Sequence, residues 1–318
     1  MHLNDTDASE VYNIIKSFKN KATRDTKISA LKIANDSYVF TNALAGVINR
    51  SFQQGLFPRQ LKIARVTPIY KDGSKSDVSN YRPISLLSSM SKIYEKLMHT
   101  RILNFLESNN SLFDMQYGFR PGRSCEHALL NAQNRLLESL NNRQISVLLL
   151  CDFSKAFDMV DHAVLLKKLY HYGIRGTALN WLTSYLSDRK QYVSVKNSDS
   201  STGHIKYGVP QGSILGPLLF IIYINDIPEI ACFAKFILYA DDANIIIAAN
   251  TVEEIYDQLL NLITNLVKWV HYNGLALNLK KTKYMIFFLG AKWIYPLHLQ
   301  FLRCLLNEKL KQGFWVSS

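Results

Sequence analysis

Two apolar stretches interrupted or followed by acidic residues constrain the fold of this chain more than any other feature. Residues 145–150 form a short continuous apolar run, which predicts a strand buried on both faces, and Asp152 follows at its end. Residues 233–249 read as two strands that meet at Asp241 and Asp242. The sequence therefore predicts a sheet with a buried central strand and a hairpin that carries acids at its tip.

The elements around these strands predict an α+β fold. From residue 145 onward the order is strand, helices, strand, helix, hairpin, helix and strand, the last over residues 284–288. Such an order is typical of a sheet with helices packed on one face. Upstream, residues 1–60 have helical periodicity, and residues 62–83 read as a basic strand–turn–strand hairpin.

Polar residues before apolar periodic segments predict several helix starts. Residues 91–106 have helical spacing, and residues 214–224 are apolar enough to form a buried helix. The predicted helix N-caps are Asp161, Thr177 and Thr251, the last with Glu254 at capping-box spacing.

The charge balance indicates a polyanionic partner. The chain of 318 residues has 37 Lys and Arg against 25 Asp and Glu, a formal charge of +12. Nucleic acid is the first candidate and an acidic membrane surface the second. The four cysteines share no metal-ligand spacing, which argues against a zinc module or a disulfide framework and predicts a reducing compartment.

The sequence has no recognisable export or membrane segment. Its N-terminus lacks the basic flank and apolar run of a signal peptide. The apolar stretch 214–224 is interrupted by Gly216-Pro217 and has about half of the ~20 residues that a membrane span needs. These features predict an intracellular protein, nuclear or cytoplasmic, with no membrane partner.

The acids themselves indicate a metal site. Asp152, Asp241 and Asp242 would repel one another if sheet pairing brought them together, so a cation is needed to offset them. A small number of hard oxygen ligands suits Mg²⁺, and two such ions ~3.5 to 4 Å apart can promote in-line phosphoryl transfer. Taken singly, each acid is also explained as a cap or a turn residue.

Five segments place these acids in a wider pattern. They are residues 80–86 (NYRPISL), 116–124 (QYGFRPGRS), 152–158 (DFSKAFD), 208–213 (GVPQGS) and 239–242 (YADD). In this order, they resemble the reverse transcriptases of non-LTR (LINE-like) retrotransposons, the jockey-type elements in particular. The resemblance implies a right-hand polymerase fold with fingers and a palm, the palm being a ferredoxin-like sheet with helices on one face.

The resemblance implies a catalytic set. Asp152, Asp241 and Asp242 match the palm aspartates, and the carbonyl of Phe153 is implied as a further metal ligand. The implied cofactor is two Mg²⁺ ions, with Mn²⁺ as a substitute. Lys281 is chosen as the lysine that protonates the departing pyrophosphate.

The resemblance also implies nucleotide contacts. Phe157 falls where a bulky ring beside the sugar collides with a ribose 2′-hydroxyl and favours deoxynucleotides; a core aromatic is the alternative. Lys71 and Arg82 lie on the hairpin that closes on the triphosphate in the family, and a guanidinium suits bidentate phosphate contact. Solvated surface charge is the alternative for these two. Gln211 is implied to support the nucleotide.

Template contacts are implied for a loop in the fingers. The residues are Gly118, Phe119, Arg120 and Gly122, which combine a stacking ring with positive charge. A structural turn is the alternative for this loop. Gly212 is implied at a close approach of nucleic-acid backbone, where the lack of a side chain leaves room.

The resemblance divides the chain into three parts. Residues 1–60 are expected to be an N-terminal helical extension of the fingers, and residues 61–290 the fingers and palm. Residues 291–318 match neither the primer-gripping hairpin nor the thumb of the family. The thumb is therefore expected to be missing, and no endonuclease is expected before the polymerase segment.

Three functions are compatible with the sequence. An RNA-directed DNA polymerase would extend a DNA primer with dNTPs on an RNA template, which predicts primer-dependent incorporation. A catalytically silent nucleic-acid-binding remnant of a retroelement predicts binding without synthesis. An intron maturase-like splicing factor is third, because no basic RNA-binding extension follows the polymerase segment. The sequence does not identify a protein partner.

Overall fold

The protein is an α+β chain, as its element order predicts. A computed structural model describes residues 1–19, 22–25, 27–196 and 198–289. The helices are α1 (Ala8–Ser17), α2 (Ile28–Asn35), α3 (Tyr38–Gln54), α4 (Ser89–Ser108), α5 (Cys125–Asn141), α6 (His162–His171), α7 (Thr177–Leu186), α8 (Leu215–Tyr223) and α9 (Val252–Tyr272). The strands are β1 (Ile63–Tyr70), β2 (Tyr81–Leu86), β3 (Ile145–Asp152), β4 (Lys190–Val195), β5 (Ser198–Asp199), β6 (Gly203–His204), β7 (Lys235–Tyr239), β8 (Asp242–Ala249) and β9 (Lys283–Phe287).

The chain forms two compact units, each made of two segments. Among the described residues, the first unit lies within 1–111 and 160–222, and the second within 112–159 and 223–289. The helices α1, α2 and α3 confirm the helical interpretation of residues 1–60. These helices pack within the first unit, since α1 packs on α4 and α3 packs on α7, and the domain boundary at residue 60 stays a prediction. The tail predicted over residues 291–318 lies outside the described residues, so the thumb stays untested.

The first unit contains the predicted basic hairpin. β1 and β2 pair antiparallel, with Tyr70 opposite Tyr81 at the loop end. β1 also pairs in parallel with β4, which lies far along the chain, and β4 extends the sheet through β5 and β6. The second strand in the order predicted from residue 145 onward is thereby confirmed as β4. The hairpin is part of a five-stranded sheet.

The second unit contains a four-stranded antiparallel sheet in the order β7-β8-β3-β9. Numbered within this unit the order is 2-3-1-4, which is the ferredoxin-like arrangement that the resemblance implied. β3 occupies a central position, as its continuous apolar run predicts.

Both faces of the central strands are buried. Leu148 and Ile246 lie on one face, in a core cluster with Ala128 of α5. Val147 and Leu149, which alternate with Leu148 along β3, point to the opposite face and are buried as well. The predicted burial of β3 on both faces is confirmed, and the expectation of helices on a single face stays a prediction.

The helix starts show where the local sequence was sufficient. Asp161 caps α6 by accepting hydrogen bonds from the N–H groups of Ala163 and Val164, and Thr251 caps α9 by accepting one from Glu254 N–H. The Glu254 carboxylate bonds to Asn250 N–H rather than to Thr251 N–H, so the capping box is only half formed. Thr177 is the first residue of α7, and the N-cap position belongs to Gly176, whose φ of 60° suits glycine.

Three of the four cysteines, and the apolar stretch predicted as a buried helix, lie within the described residues. Cys125, Cys151 and Cys232 are free thiols. The apolar stretch 214–224 contains α8, which is almost wholly buried. Within the described ranges, no helix has both the length and the apolar character needed to cross a membrane.

Candidate active site

Sheet pairing in the second unit brings the three aspartates to one end of the central strands. Asp152, the last residue of β3, lies directly opposite Asp242, the first residue of β8. Directly opposed residues of an antiparallel pair have Cβ atoms roughly 4.5 to 5.5 Å apart. Tyr239 pairs with Asp242, so Ala240 and Asp241 form a two-residue turn between β7 and β8. The tip predicted at Asp241 and Asp242 is shifted by one residue, since Asp242 belongs to the strand.

The carboxylates influence one another electrostatically. Burial raises the pKa of Asp242, and the negative charges of Asp241 and Asp152 raise it further, whereas Lys281 opposes the shift. The Nζ atom of Lys281 lies 3.5 Å from Oδ2 of Asp152, which places the predicted lysine beside the acids. One ammonium does not neutralise three carboxylates, so a cation bound here would be stabilised.

The ligand set fits an ion that takes few protein ligands. In the part of the chain that the structure describes, no group of three or more acidic, histidine or cysteine side chains is arranged to hold a metal ion by itself. Mg²⁺ does not require such a group, because it keeps waters and takes substrate phosphate oxygens alongside one or two carboxylates. Asp152 and Asp242, opposed across the β3–β8 pair, supply such carboxylates, with Asp241 in the adjoining turn.

The carbonyl of Phe153, predicted as a metal ligand, takes no part in the backbone bridge that this residue forms. Phe153 forms a bridge with Leu277, and the two hydrogen bonds of this bridge use the Asp152 carbonyl and the Ser154 N–H. The pattern leaves the Phe153 carbonyl outside the bridge. Its ring is buried and lies 6.3 Å from the ring of Trp269, which fixes the backbone beside Asp152.

The turn that carries Asp241 is supported by a segment that the sequence analysis assigned to template binding. Tyr117 N–H donates to the Leu238 carbonyl and Leu238 N–H donates to the Met115 carbonyl, both at 2.8 Å, which adds this segment in parallel to the edge of β7. A Cβ atom on Gly118 would lie 2.2 Å from the backbone nitrogen of Ala240. Gly118 is therefore required for close packing on the turn.

Gln116 is the first residue of the QYGFRPGRS motif, and the sequence predicted no role for it. Its Oε1 accepts hydrogen bonds from Gly118 N–H at 2.8 Å and from Ala240 N–H at 3.1 Å. No local signal marked it, because the second partner lies 124 positions away.

The remaining predicted template residues divide into a buried and an exposed group. Arg120 is only 8% exposed and donates to the Phe113 carbonyl, so the structure assigns its guanidinium to the loop itself. Phe119, with a φ of 57°, and Gly122, with a φ of 72°, are exposed. Of the four, Gly118 and Arg120 thus contribute to packing of the loop, and Phe119 and Gly122 are accessible to a ligand. The template contacts of all four residues stay predictions.

Phe157 lies in a short 3₁₀ helix, Ala156–Asp158, just after Asp152. Its ring meets that of Phe119 edge to face, with centroids 6.1 Å apart. Such pairs prefer this geometry. Phe157 is half-buried, so it is neither a fully enclosed core residue nor a free surface ring.

The first unit carries the other predicted nucleotide residues. Arg82, opposite Ile69 in the β1–β2 hairpin, and Lys71, at its loop, are both exposed. Lys71 N–H donates to the Asn80 carbonyl and closes the hairpin loop. The hairpin therefore presents two cations to solvent.

The loop with Gln211 and Gly212 is anchored on β2 within the same unit. Ser85 N–H donates to the Gln211 carbonyl at 2.8 Å. Gly212 has a φ of 116°, and a Cβ there would lie 2.7 Å from the Ser85 carbonyl oxygen. The glycine is thus required by the protein's own packing, in addition to any approach of nucleic acid.

A buried polar cluster behind this loop was missed by the sequence analysis. Glu95 of α4 accepts hydrogen bonds from Ile214 N–H at 2.6 Å and from the Ser91 hydroxyl at 2.8 Å. Its carboxylate lies at the start of α8, where a negative charge is favourable. Arg189, wholly buried, is stacked 4.8 Å from the Tyr185 ring and interacts electrostatically with Glu95. No local signal marked either residue, since Glu95 precedes Lys96 and Arg189 stands between Asp188 and Lys190.

Comparison with known proteins identifies the family. The model of the family described as reverse transcriptase (RNA-dependent DNA polymerase) matches residues 70–300, more than half of the chain. This chain belongs to the reverse transcriptase family. This chain is 34% identical over 253 residues to the probable RNA-directed DNA polymerase from transposon BS of Drosophila melanogaster. The match covers 75% of this chain and 27% of the relative. The chain is 30% identical over 246 residues to the RNA-directed DNA polymerase from mobile element jockey of the same organism, again covering 75% and 27%.

These relatives confirm the class that the motifs predicted, a reverse transcriptase domain of a non-LTR, jockey-type retrotransposon. The chain spans about a quarter of the length of the curated relatives that it matches. A solved structure of telomerase from Candida albicans with a fragment of telomeric RNA matches with a TM-score of 0.50 at 15% identity, over 76% of this chain and 44% of that chain. The likeness shows a shared polymerase fold.

Proposed function

We propose that this reverse transcriptase domain is an RNA-directed DNA polymerase that extends a primer 3′-hydroxyl with dNTPs on an RNA template, in retrotransposition. The observation that carries the proposal is the pairing of Asp152 with Asp242 beside the Asp241 turn. This arrangement concentrates negative charge where a phosphoryl-transfer enzyme needs divalent cations.

The proposed metal ligands are the carboxylates of Asp152, Asp241 and Asp242 and the carbonyl of Phe153. Two Mg²⁺ ions, or Mn²⁺ in their place, would supply charge neutralisation at the attacking and leaving oxygens of an in-line displacement. Lys281, whose ammonium lies 3.5 Å from Asp152, is the proposed proton donor at Nζ to the leaving pyrophosphate. If so, Lys281→Ala should lower kcat with little change in KM for dNTP, and an unchanged kcat would contradict the role.

The proposed contacts with the triphosphate, the nucleotide and the template involve residues on the hairpin and on two loops. Arg82 and Lys71 are the proposed triphosphate contacts, because both are exposed cations on one hairpin. Gln211 and Gly212 are proposed to contact the nucleotide and the template from the loop anchored on Ser85. Phe119 and Gly122 are the proposed template contacts of the accessible loop. The right-hand division would assign the first unit largely to the fingers and the second largely to the palm.

The deciding experiment is primer extension on an RNA template with Mg²⁺. The native chain should incorporate dNTPs, and Asp241→Asn should lose about 10³-fold or more in rate, because one carboxylate ligand becomes neutral. Asp257→Asn, an exposed acid on α9, is the matched control and should be fully active. Equal incorporation by the native chain and Asp241→Asn would exclude this mechanism.

The same assay distinguishes an active polymerase from a silent nucleic-acid-binding remnant. Binding of a labelled primer–template is measured alongside incorporation for all three proteins. Binding without incorporation by the native chain, in Mg²⁺ and in Mn²⁺, would identify a silent nucleic-acid-binding remnant.

A further inference from the structure

Ala240, next to Asp241, has an unusual backbone conformation. Its φ is 56°, in the left-handed region, where a residue with a Cβ is disfavoured by roughly 1 kcal/mol or more. Such a conformation persists only when surrounding contacts impose it. The contacts around this turn therefore decide where the Asp241 carboxylate lies.

The side chain of Gln116 contacts this turn by accepting a hydrogen bond from Ala240 N–H. Both groups that bond to its amide, the Gly118 and Ala240 N–H groups, are donors, so the atom facing them must be the carbonyl oxygen Oε1. The side chain is 1% exposed, and water does not replace this acceptor readily.

The other end of the amide is informative as well. Among the described residues, Nε2 of Gln116 is buried and has no hydrogen-bond partner. A buried unpaired donor is unfavourable, so stability alone does not explain an amide here. The need for an acceptor at Oε1 does explain it.

We propose that Gln116 is a positioning residue for catalysis: by accepting the Ala240 N–H, it fixes the turn that places Asp241 against its metal. The inference rests on the proposed function, because it assigns Asp241 a metal-binding role. Gly118 acts on the same turn from the backbone side, since its hydrogen atom is all that fits against the Ala240 nitrogen.

The test compares two replacements of similar size. Gln116→Met fills the same space but lacks the acceptor, and Gln116→Glu retains an oxygen acceptor whether or not its carboxyl is protonated. Gln116→Met should lower kcat by about 10²-fold, the cost of misplacing a catalytic group by about 1 Å. It should also raise the Mg²⁺ concentration needed for half-maximal rate, with Kd for primer–template unchanged. Gln116→Glu should retain kcat within a few-fold.

Two further variants keep the result interpretable. Asn265→Leu removes another half-buried amide of the second unit, one that bonds to the Ile230 carbonyl, and should leave kcat and the Mg²⁺ dependence unchanged. Gly118→Ala acts on the turn independently of Gln116 and should likewise lower kcat. If Gly118 were instead a template contact, Kd for primer–template would rise while kcat stayed constant.

The outcomes distinguish this inference from the function on which it rests. If Asp241→Asn is inactive while Gln116→Met and Gly118→Ala both retain kcat and Mg²⁺ dependence, the positioning role is wrong and the polymerase assignment stands. The positioning role is also wrong if Gln116→Glu loses as much as Gln116→Met. If Asp241→Asn is as active as the native chain, the proposed function fails, and the positioning role fails with it.

Discussion

Phe157 is the residue on which the proposed choice of sugar depends. Its ring is half-buried and braced edge to face by Phe119 at 6.1 Å. A braced ring excludes a ribose 2′-hydroxyl more strictly than a free one, because it has fewer orientations in which to yield. The pairing was not predictable from the motifs, which lie in separate segments.

Replacing this ring should weaken sugar discrimination. Phe157→Val should lower the ratio of kcat/KM for dNTP to that for the matching rNTP by roughly 10- to 100-fold, the scale of selectivity set by side-chain volume in a pocket. Single-nucleotide incorporation with each substrate measures the ratio. Phe288→Val, at a partly exposed ring of the same unit, should leave it unchanged. If Phe157→Val retains the native ratio, the ring is a packing residue.

Among the elements, α4, α7 and α8 are linked by the buried charges of Glu95 and Arg189. Burial raises the pKa of Glu95, and hydrogen bonding from Ile214 together with the charge of Arg189 opposes that shift. Arg189 has two guanidinium nitrogens without a hydrogen-bond partner among the described residues. Each charge therefore depends on the other, and the loop that carries Gln211 depends on the Ile214 contact.

Breaking this pair should be costly in a way that breaking an exposed pair is not. Glu95→Ala leaves Arg189 buried and uncompensated and should lower the free energy of unfolding by about 3–5 kcal/mol. The double replacement Glu95→Leu with Arg189→Met should recover most of this loss, because replacing a buried pair of charges by apolar residues of similar volume is often neutral or stabilising.

The matched control is the exposed pair of Arg135 and Glu138 on α5, at 3.3 Å. Glu138→Ala should cost no more than about 1 kcal/mol. Urea unfolding of the four proteins gives the comparison. A loss below about 1 kcal/mol for Glu95→Ala would show that the buried charges are not coupled in this way.

For the whole molecule, the formal charge of +12 predicts binding of nucleic acid that depends strongly on salt. Each phosphate that a cation neutralises steepens the fall of affinity with salt concentration, since counterions are released on binding. Between 50 and 200 mM salt, the affinity for primer–template should fall by roughly 10²-fold or more.

The hairpin cations should contribute to this slope. Arg82→Ala in the native chain should reduce the slope of log K against log salt by about 1 if the side chain contacts phosphate. Lys27→Ala, at an exposed lysine that precedes α2, should leave the slope unchanged. Equal slopes for native, Arg82→Ala and Lys27→Ala proteins would show that Arg82 is merely solvated charge.

The sequence by itself determined the elements and the family. The apolar run of β3 and the caps of α6 and α9 depend on neighbours within a strand or a helical turn, so their patterns are legible locally. The order of five motifs predicted the family, and with it the aspartates that sheet pairing then brought together. The predictions at Thr177 and at the hairpin tip were wrong by one residue, because backbone conformation at Gly176 and strand register decide such boundaries.

Only the tertiary structure decided which residues support the site. Gln116 bonds to a turn 124 positions away, and Glu95 bonds to a backbone N–H 119 positions away. Gly118 and Arg120, predicted from the sequence as template contacts, also make packing contacts within the protein that the sequence did not indicate. Burial and hydrogen-bond partners across such separations arise from packing of the whole chain, and no local pattern records them. The sequence thus specified the acids at the strand ends, and the tertiary contacts specified what positions them.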